Sequence, residues 1–122
     1  MRRKLREAAA QPATTVLLLG SPIFFRERGR IAAQALALRL PVMGTSIEGV
    51  EAGQLLYFGP SLVEIYRRCA EYVDKVLRGA DPASLPIEQP TKFELALNLR
   101  TAKALNVVIP RAMLLRAETV IQ

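Results

Sequence analysis

Two short segments combine glycine with a side-chain hydroxyl: Gly20-Ser21-Pro22 and Gly44-Thr45-Ser46. Hydroxyls and free amides at such bends suit hydrogen bonding to a small polar molecule, and the plain alternative is ordinary turn chemistry. Phe24 or Phe25 would supply an apolar wall beside the first segment. Tyr57-Phe58-Gly59-Pro60 joins aromatics to a Gly-Pro bend, which suits a ligand wall at Tyr57 and a hinge at Gly59 and Pro60. Bond-breaking chemistry is harder to assemble. The chain has no histidine and a single cysteine, Cys69, so Ser–His–Asp and Cys–His nucleophiles, His/Cys zinc sites and an internal disulfide are excluded. Gly20-Ser21-Pro22 lacks the second glycine and the lysine of a phosphate-binding loop, and no histidine exists to activate Ser21. Glu48 and Glu51 would share a helical face, but no ligand partners stand near them in sequence. Neither a metal nor a cofactor is expected, and binding without catalysis is.

The elements that must position these residues follow from composition and pattern. The chain has 122 residues, 51% apolar and 23% charged, enough for one core and too apolar for disorder. Trp is absent and aromatics reach 6%, which favours helices on a sheet over an all-β sandwich. The net charge of +6 permits an anionic partner. No stretch interleaves basic residues with stacking aromatics, so nucleic acid is not the expected partner. The basic start, Arg2-Arg3-Lys4, is followed by only three alanines before Gln11-Pro12, an incomplete export signal. The apolar run Val16–Leu19 falls far short of the roughly 20 residues needed to cross a bilayer, so no membrane insertion is expected.

Residues 1–11 read as a helix ending at Pro12. Thr14–Leu19 reads as a strand buried on both faces, and Phe25–Arg39 as a helix with apolar positions at Ile31, Ala32, Ala35 and Leu36. Leu40–Gly44 makes the second strand of a βαβ unit. Gly53–Gly59 makes a third. Ser61 and Glu64 have the spacing of a capping box, and Leu62, Tyr66, Cys69, Val73 and Val76 then form an apolar stripe closed by Gly79. Cys69 is expected in the core. Asp81–Pro90 is an extended connection, Lys92–Leu99 a half-buried edge strand, and helices are expected over 100–105 and from Pro110 through Glu118. The sum is α/β, a mostly parallel sheet flanked by helices.

Several stretches carry a family resemblance: Tyr57-Phe58-Gly59-Pro60-Ser61-Leu62, Tyr66-Arg67-Arg68-Cys69-Ala70, and above all Leu85-Pro86-Ile87-Glu88-Gln89-Pro90-Thr91-Lys92-Phe93-Glu94-Leu95 running on to Asn98-Leu99-Arg100-Thr101-Ala102-Lys103. The chain resembles the carboxy-terminal segment of ABC transporter substrate-binding proteins related to tryptophan and branched-chain amino-acid binders. The resemblance implies part of a type I periplasmic binding protein: two α/β lobes closing on a small ligand, a permease partner, no catalysis and a periplasmic location. On that plan residues 1–59 end the second lobe, and 60–122 hold a crossover helix, a Pro-containing connection, a strand and terminal helices. Gly44–Gly49 departs from an aromatic-rich loop common in relatives, which leaves the ligand's identity open, and Asn106 replaces a frequent glycine. A ligand would meet Ser21, Thr45, Ser46 and Tyr57. The stripe of the long helix, unsupported by first-lobe elements, implies a homo-oligomer. The rival readings are a free-standing cytoplasmic interaction domain of the same fold and, more weakly, a small basic nucleic-acid binder.

Overall fold

Short apolar segments, each stopped by glycine, proline or a cap, build a five-stranded sheet whose spatial order equals its sequence order. The computed structural model describes residues 2–11 and 15–122. In chain order the elements are α1 (Arg2–Ala9), β1 (Val16–Leu17), α2 (Pro22–Arg26), α3 (Arg28–Ala37), β2 (Val42–Met43), α4 (Ile47–Glu51) and β3 (Leu56–Pro60). Then come α5 (Leu62–Leu77), a 3-10 turn at Pro82–Ser84, β4 (Phe93–Asn98), α6 (Leu99–Leu105), α7 (Arg111–Leu114) and β5 (Thr119–Ile121). The chain divides into two units, residues 1–59 with 94–122, and residues 60–93.

In the first unit β1 pairs parallel with β2 (Val16 opposite Val42), β2 parallel with β3 (Met43 opposite Leu56), and β4 parallel with β5 (Leu97 opposite Val120). Parallel neighbours need a covered crossover, and α2–α3, α4 and α6–α7 provide the three. Between β3 and β4 the direction reverses: the Asn98 amide, at the end of β4, donates to the Leu55 carbonyl, just before β3, at 2.9 Å. Successive residues Ala96 and Leu97 are both fully buried, so β4 is covered on both faces. Ala35, Leu40 and Val42 form one core cluster, Val50, Tyr57 and Ala96 another, and Ile31 of α3 is wholly enclosed.

The junctions are fixed by hydrogen bonds. Asn98 Oδ1 caps α6 by accepting from the Thr101 amide at 3.0 Å, while its Nδ2 donates to the Val50 carbonyl at 2.8 Å. Thr101 Oγ1 donates to the carbonyl of Gly53, whose φ of 111° requires glycine, at 2.9 Å. Asn106 ends α6 at φ 58°, a left-handed geometry that asparagine tolerates.

Several expectations are corrected. The first strand is not buried on both faces: Leu17 is 60% exposed because β1 is an outer strand. The helix expected over 25–39 is two, meeting at Glu27, which is the C-cap of α2 and the N-cap of α3. The strand expected at an edge, β4, is interior. The last helix stops at Leu114, and Thr119–Ile121 adds an outer strand that its few residues did not announce. Pro12 and Thr14, expected to end the first helix and begin the first strand, lie outside the described residues.

The 60–93 unit is α5 and the segment that returns along it. Ser61 does not form the expected capping box: its side chain makes no cap bond, it is buried, and its amide donates to the Lys92 carbonyl at 2.9 Å. Gly79, at φ 96°, does occupy the left-handed position after the helix. The returning segment is tied to α5 by Tyr72, whose hydroxyl donates to the Pro86 carbonyl at 2.7 Å. It is tied again by Arg68, which grips Glu88 with Nε at 2.6 Å and Nη2 at 2.5 Å and also bonds Glu71. That fork holds the Glu88 carboxyl below its usual range. Cys69 is exposed, contrary to the core position expected, because no residue of α5 is buried.

Arg39 sits at φ 55° just after α3, where a side chain costs about 1–2 kcal/mol that glycine does not incur. Arg39→Gly is expected to raise stability by about 1 kcal/mol in urea denaturation, and a loss of stability would show that the side chain contributes more than its backbone strain.

Candidate ligand-binding site

The parallel register brings the ends of β1, β2 and β3 to one edge. The Leu18 amide donates to the Met43 carbonyl at 3.1 Å and the Gly44 amide to the Leu56 carbonyl at 2.8 Å, so the loops after β1 and β2 leave the sheet side by side. Ser21 and Thr45 follow those two points and are partly exposed. Ser21 precedes α2 without a side-chain cap bond.

Ser46 and Tyr57 are turned inward. Ser46 is buried, and its Oγ caps α4 by accepting from the Gly49 amide at 3.3 Å. Tyr57 packs in the core with Val50 and Ala96. Burial pushes its phenol above the ordinary value, and the negative charges of Glu94 and Glu48 push it further. Tyr57 is therefore a neutral phenol at neutral pH, with two carboxylates close enough to act on it.

Glycines let this packing close. A Cβ on Gly59 would lie 2.6 Å from Tyr57 Oη and 2.8 Å from Cε2 and Cζ, so the ring occupies the space that any side chain there needs. Gly59 is also the last residue of the first unit before the chain passes into the second at Pro60. A Cβ on Gly44 or Gly49 would run into Oε1 of Gln54, a buried side chain held between them.

Gln54, Asn98 and Glu94 contribute here beyond the candidates that the sequence offers. In sequence Gln54 reads as the polar start of a strand, and its glycine partners lie five and ten residues earlier. Asn98 offered a readable signal, an asparagine three residues before Thr101 at a strand-to-helix junction. Glu94 stood in an alternating strand, and only the sheet order brings its charge to bear on Tyr57. Among the described residues no three His, Cys, Asp or Glu side chains group as a metal site, and no helix is long and apolar enough to cross a membrane.

The family model for ABC transporter substrate binding protein matches residues 26–121. The chain belongs to that family. Among curated proteins none matches. Solved structures do. A conserved domain protein from Vibrio cholerae superposes with a TM-score of 0.87 at 24% identity, covering 98% of this chain and 40% of that one. An ABC domain from Streptococcus pneumoniae in complex with L-Trp gives 0.86 at 18% identity, covering 98% and 41%. A ligand-free, open substrate-binding protein with adhesive properties from Clostridium difficile gives 0.66 at 15% identity, covering 99% and 40%. These likenesses establish the fold, and this ABC substrate-binding chain spans about two-fifths of each of those chains.

Two outcomes test the core of the site. Gly59→Ala should cost about 1–3 kcal/mol, since a packed ring must move, and Tyr57→Phe should relieve it only partly because the ring carbons stay. The second concerns pH. A phenol whose folded pKa lies above its unfolded value contributes stability that is complete below about pH 10 and lost as pH rises through the folded value. The stability difference between wild type and Tyr57→Phe should therefore shrink as pH rises above about 10. A difference constant over that range contradicts the assignment.

Proposed function

We propose that the chain is the carboxy-terminal segment of a solute-binding component of an ABC importer, holding a small organic molecule such as an amino acid at the carboxyl edge of β1–β3 without chemistry. The observation that carries the reading is the side-by-side exit of the Ser21 and Thr45 loops from parallel strands, in a chain of this family. Open α/β sheets bind ligands outside the carboxyl ends of their strands. Ser21 and Thr45 would meet the ligand, while Ser46 holds the second loop through its cap and Tyr57 supports the edge from beneath. Glu94 and Glu48, both acting on Tyr57, favour a ligand with a protonated amine over a simple aromatic acid. The neighbour carrying L-Trp is compatible with that choice. Gly59 and Pro60 would serve as the hinge between lobes, a permease would be the partner, and the periplasm the location.

The test is a ligand-observed saturation-transfer titration of the whole chain with an aromatic amino acid and with the same molecule lacking its amine. Binding should be weak, on the order of millimolar, because one wall of a cleft leaves much of a ligand in water. Thr45→Ala and Glu94→Gln should each weaken it several-fold, and the analogue without an amine should bind less. Equal binding of both molecules, unchanged by either substitution, would sink the reading.

A further inference from the structure

The bend that carries Thr45 leaves the sheet after Met43 and enters α4 at Ile47, and Gln54 stands across its base. Gln54 is buried, and its backbone is fixed on both sides. Its own amide donates to the Gly49 carbonyl of α4 at 3.0 Å, and the Leu55 amide donates to the Val42 carbonyl of β2 at 2.9 Å. The side chain starts from that anchor and ends between the same two elements. Its Cδ would lie 3.1 Å from a Cβ on Gly44 and 2.9 Å from one on Gly49, and Oε1 would overlap both. Gly44 is held in place, because its amide donates to the Leu56 carbonyl at 2.8 Å. At the far end of the bend the Gly49 amide donates to Ser46 twice, to Oγ at 3.3 Å and to the carbonyl at 3.2 Å. Both distances exceed the roughly 2.9–3.0 Å common for such bonds, as expected where a side chain keeps Gly49 from drawing closer. Gln54, Gly44 and Gly49 are all buried by this chain alone.

We propose that Gln54 is a positioning residue of the ligand edge: it holds the end of β2 and α4 apart at Gly44 and Gly49, and so sets where Thr45 meets a ligand. Oε1 is buried and makes no hydrogen bond, so the side chain acts through the space it fills. Binding groups must keep their geometry to about 0.5 Å, and truncating Gln54 at Cβ frees more than that between two glycines. Protein interiors are packed too closely to leave such a gap open. The bend would fall inward and carry the Thr45 hydroxyl with it. The inference rests on the reading of Thr45 as a ligand contact, and adds to it a buried residue that the ligand does not touch.

Saturation-transfer titration of the full chain with L-phenylalanine tests it, on variants whose folded fraction is checked in the same sample. Gln54→Ala should bind about three- to ten-fold more weakly than wild type. Gln54→Met, which refills the space without the amide, should recover most of that loss. Thr45→Ala added to Gln54→Ala should cost little more, because a residue that acts through another is not additive with it. Gln34→Ala, at another buried and unpartnered glutamine amide, on α3, should bind like wild type. Urea denaturation reads the wedge without ligand: Gly44→Ala should lower the midpoint in wild type and much less in Gln54→Ala. Should Gln54→Ala fail to fold, Gln54→Asn, which withdraws the amide by one methylene, replaces it in each comparison. Wild-type affinity in the truncated variant, no recovery in Gln54→Met, independent losses from Thr45→Ala and Gln54→Ala, or an equal loss in Gln34→Ala would overturn the inference and leave the ligand reading in place. So would an equal cost of Gly44→Ala on both backgrounds. No binding by wild type would overturn the ligand reading and the inference together.

Discussion

Parallel strands cannot be joined by a hairpin, so β1 and β2 each hand the chain to helices that return it to the same starting edge. Everything at the candidate site follows from that constraint. Because both crossovers begin where a strand ends, the Gly20-Ser21 and Gly44-Thr45 bends are forced onto one edge. The amides and hydroxyls there are left for capping or for a ligand. Ser46 takes the first role at α4; Ser21, without a side-chain cap bond, remains available for the second.

The reversal at β4 is the complementary constraint. After β3 the chain leaves the first unit, runs through α5 and the proline-containing segment, and re-enters at Glu94 in the opposite direction. Asn98 closes this excursion. Its amide bonds to Leu55, its side-chain oxygen caps α6 and its side-chain nitrogen reaches Val50, so one residue joins the sheet, the next helix and the end of α4. Each such bond is worth about 0.5–1.5 kcal/mol, and leaving its buried partner empty costs more. The first unit is thereby fixed around the return strand, while the 60–93 unit relies on Tyr72 and Arg68 for its internal order.

The parts legible in the sequence were those with local causes. An apolar run stopped by Gly44 marked β2, Gly59-Pro60 marked the end of β3, and Gly79 marked the end of α5 through a backbone angle that only glycine takes easily. What escaped were relations set at a distance. Strand order decides that β4 is interior and β1 outer, and nothing in Phe93–Asn98 or Val16–Leu17 records it. Ser61 and Glu64 have capping spacing, yet the Ser61 amide is satisfied by Lys92, thirty-one residues on, which no local pattern contains. Cys69 lies on an apolar stripe, but a stripe shows only that a face wants cover. At the candidate site the hydroxyl-bearing bends were readable, whereas the inward turn of Ser46 and Tyr57 depends on α4 and on the space left by Gly59.

The central claim is that the carboxyl edge of β1–β3 is the ligand face, and amide-resolved NMR of the labelled chain tests it most directly. On titration with an aromatic amino acid, the account predicts saturable shifts of the Gly20, Ser21, Gly44 and Thr45 amides, with the amides of α5 and residues 82–92 unmoved. Saturable shifts confined to α5 and residues 82–92, with the Gly20–Ser21 and Gly44–Thr45 amides silent, would contradict it.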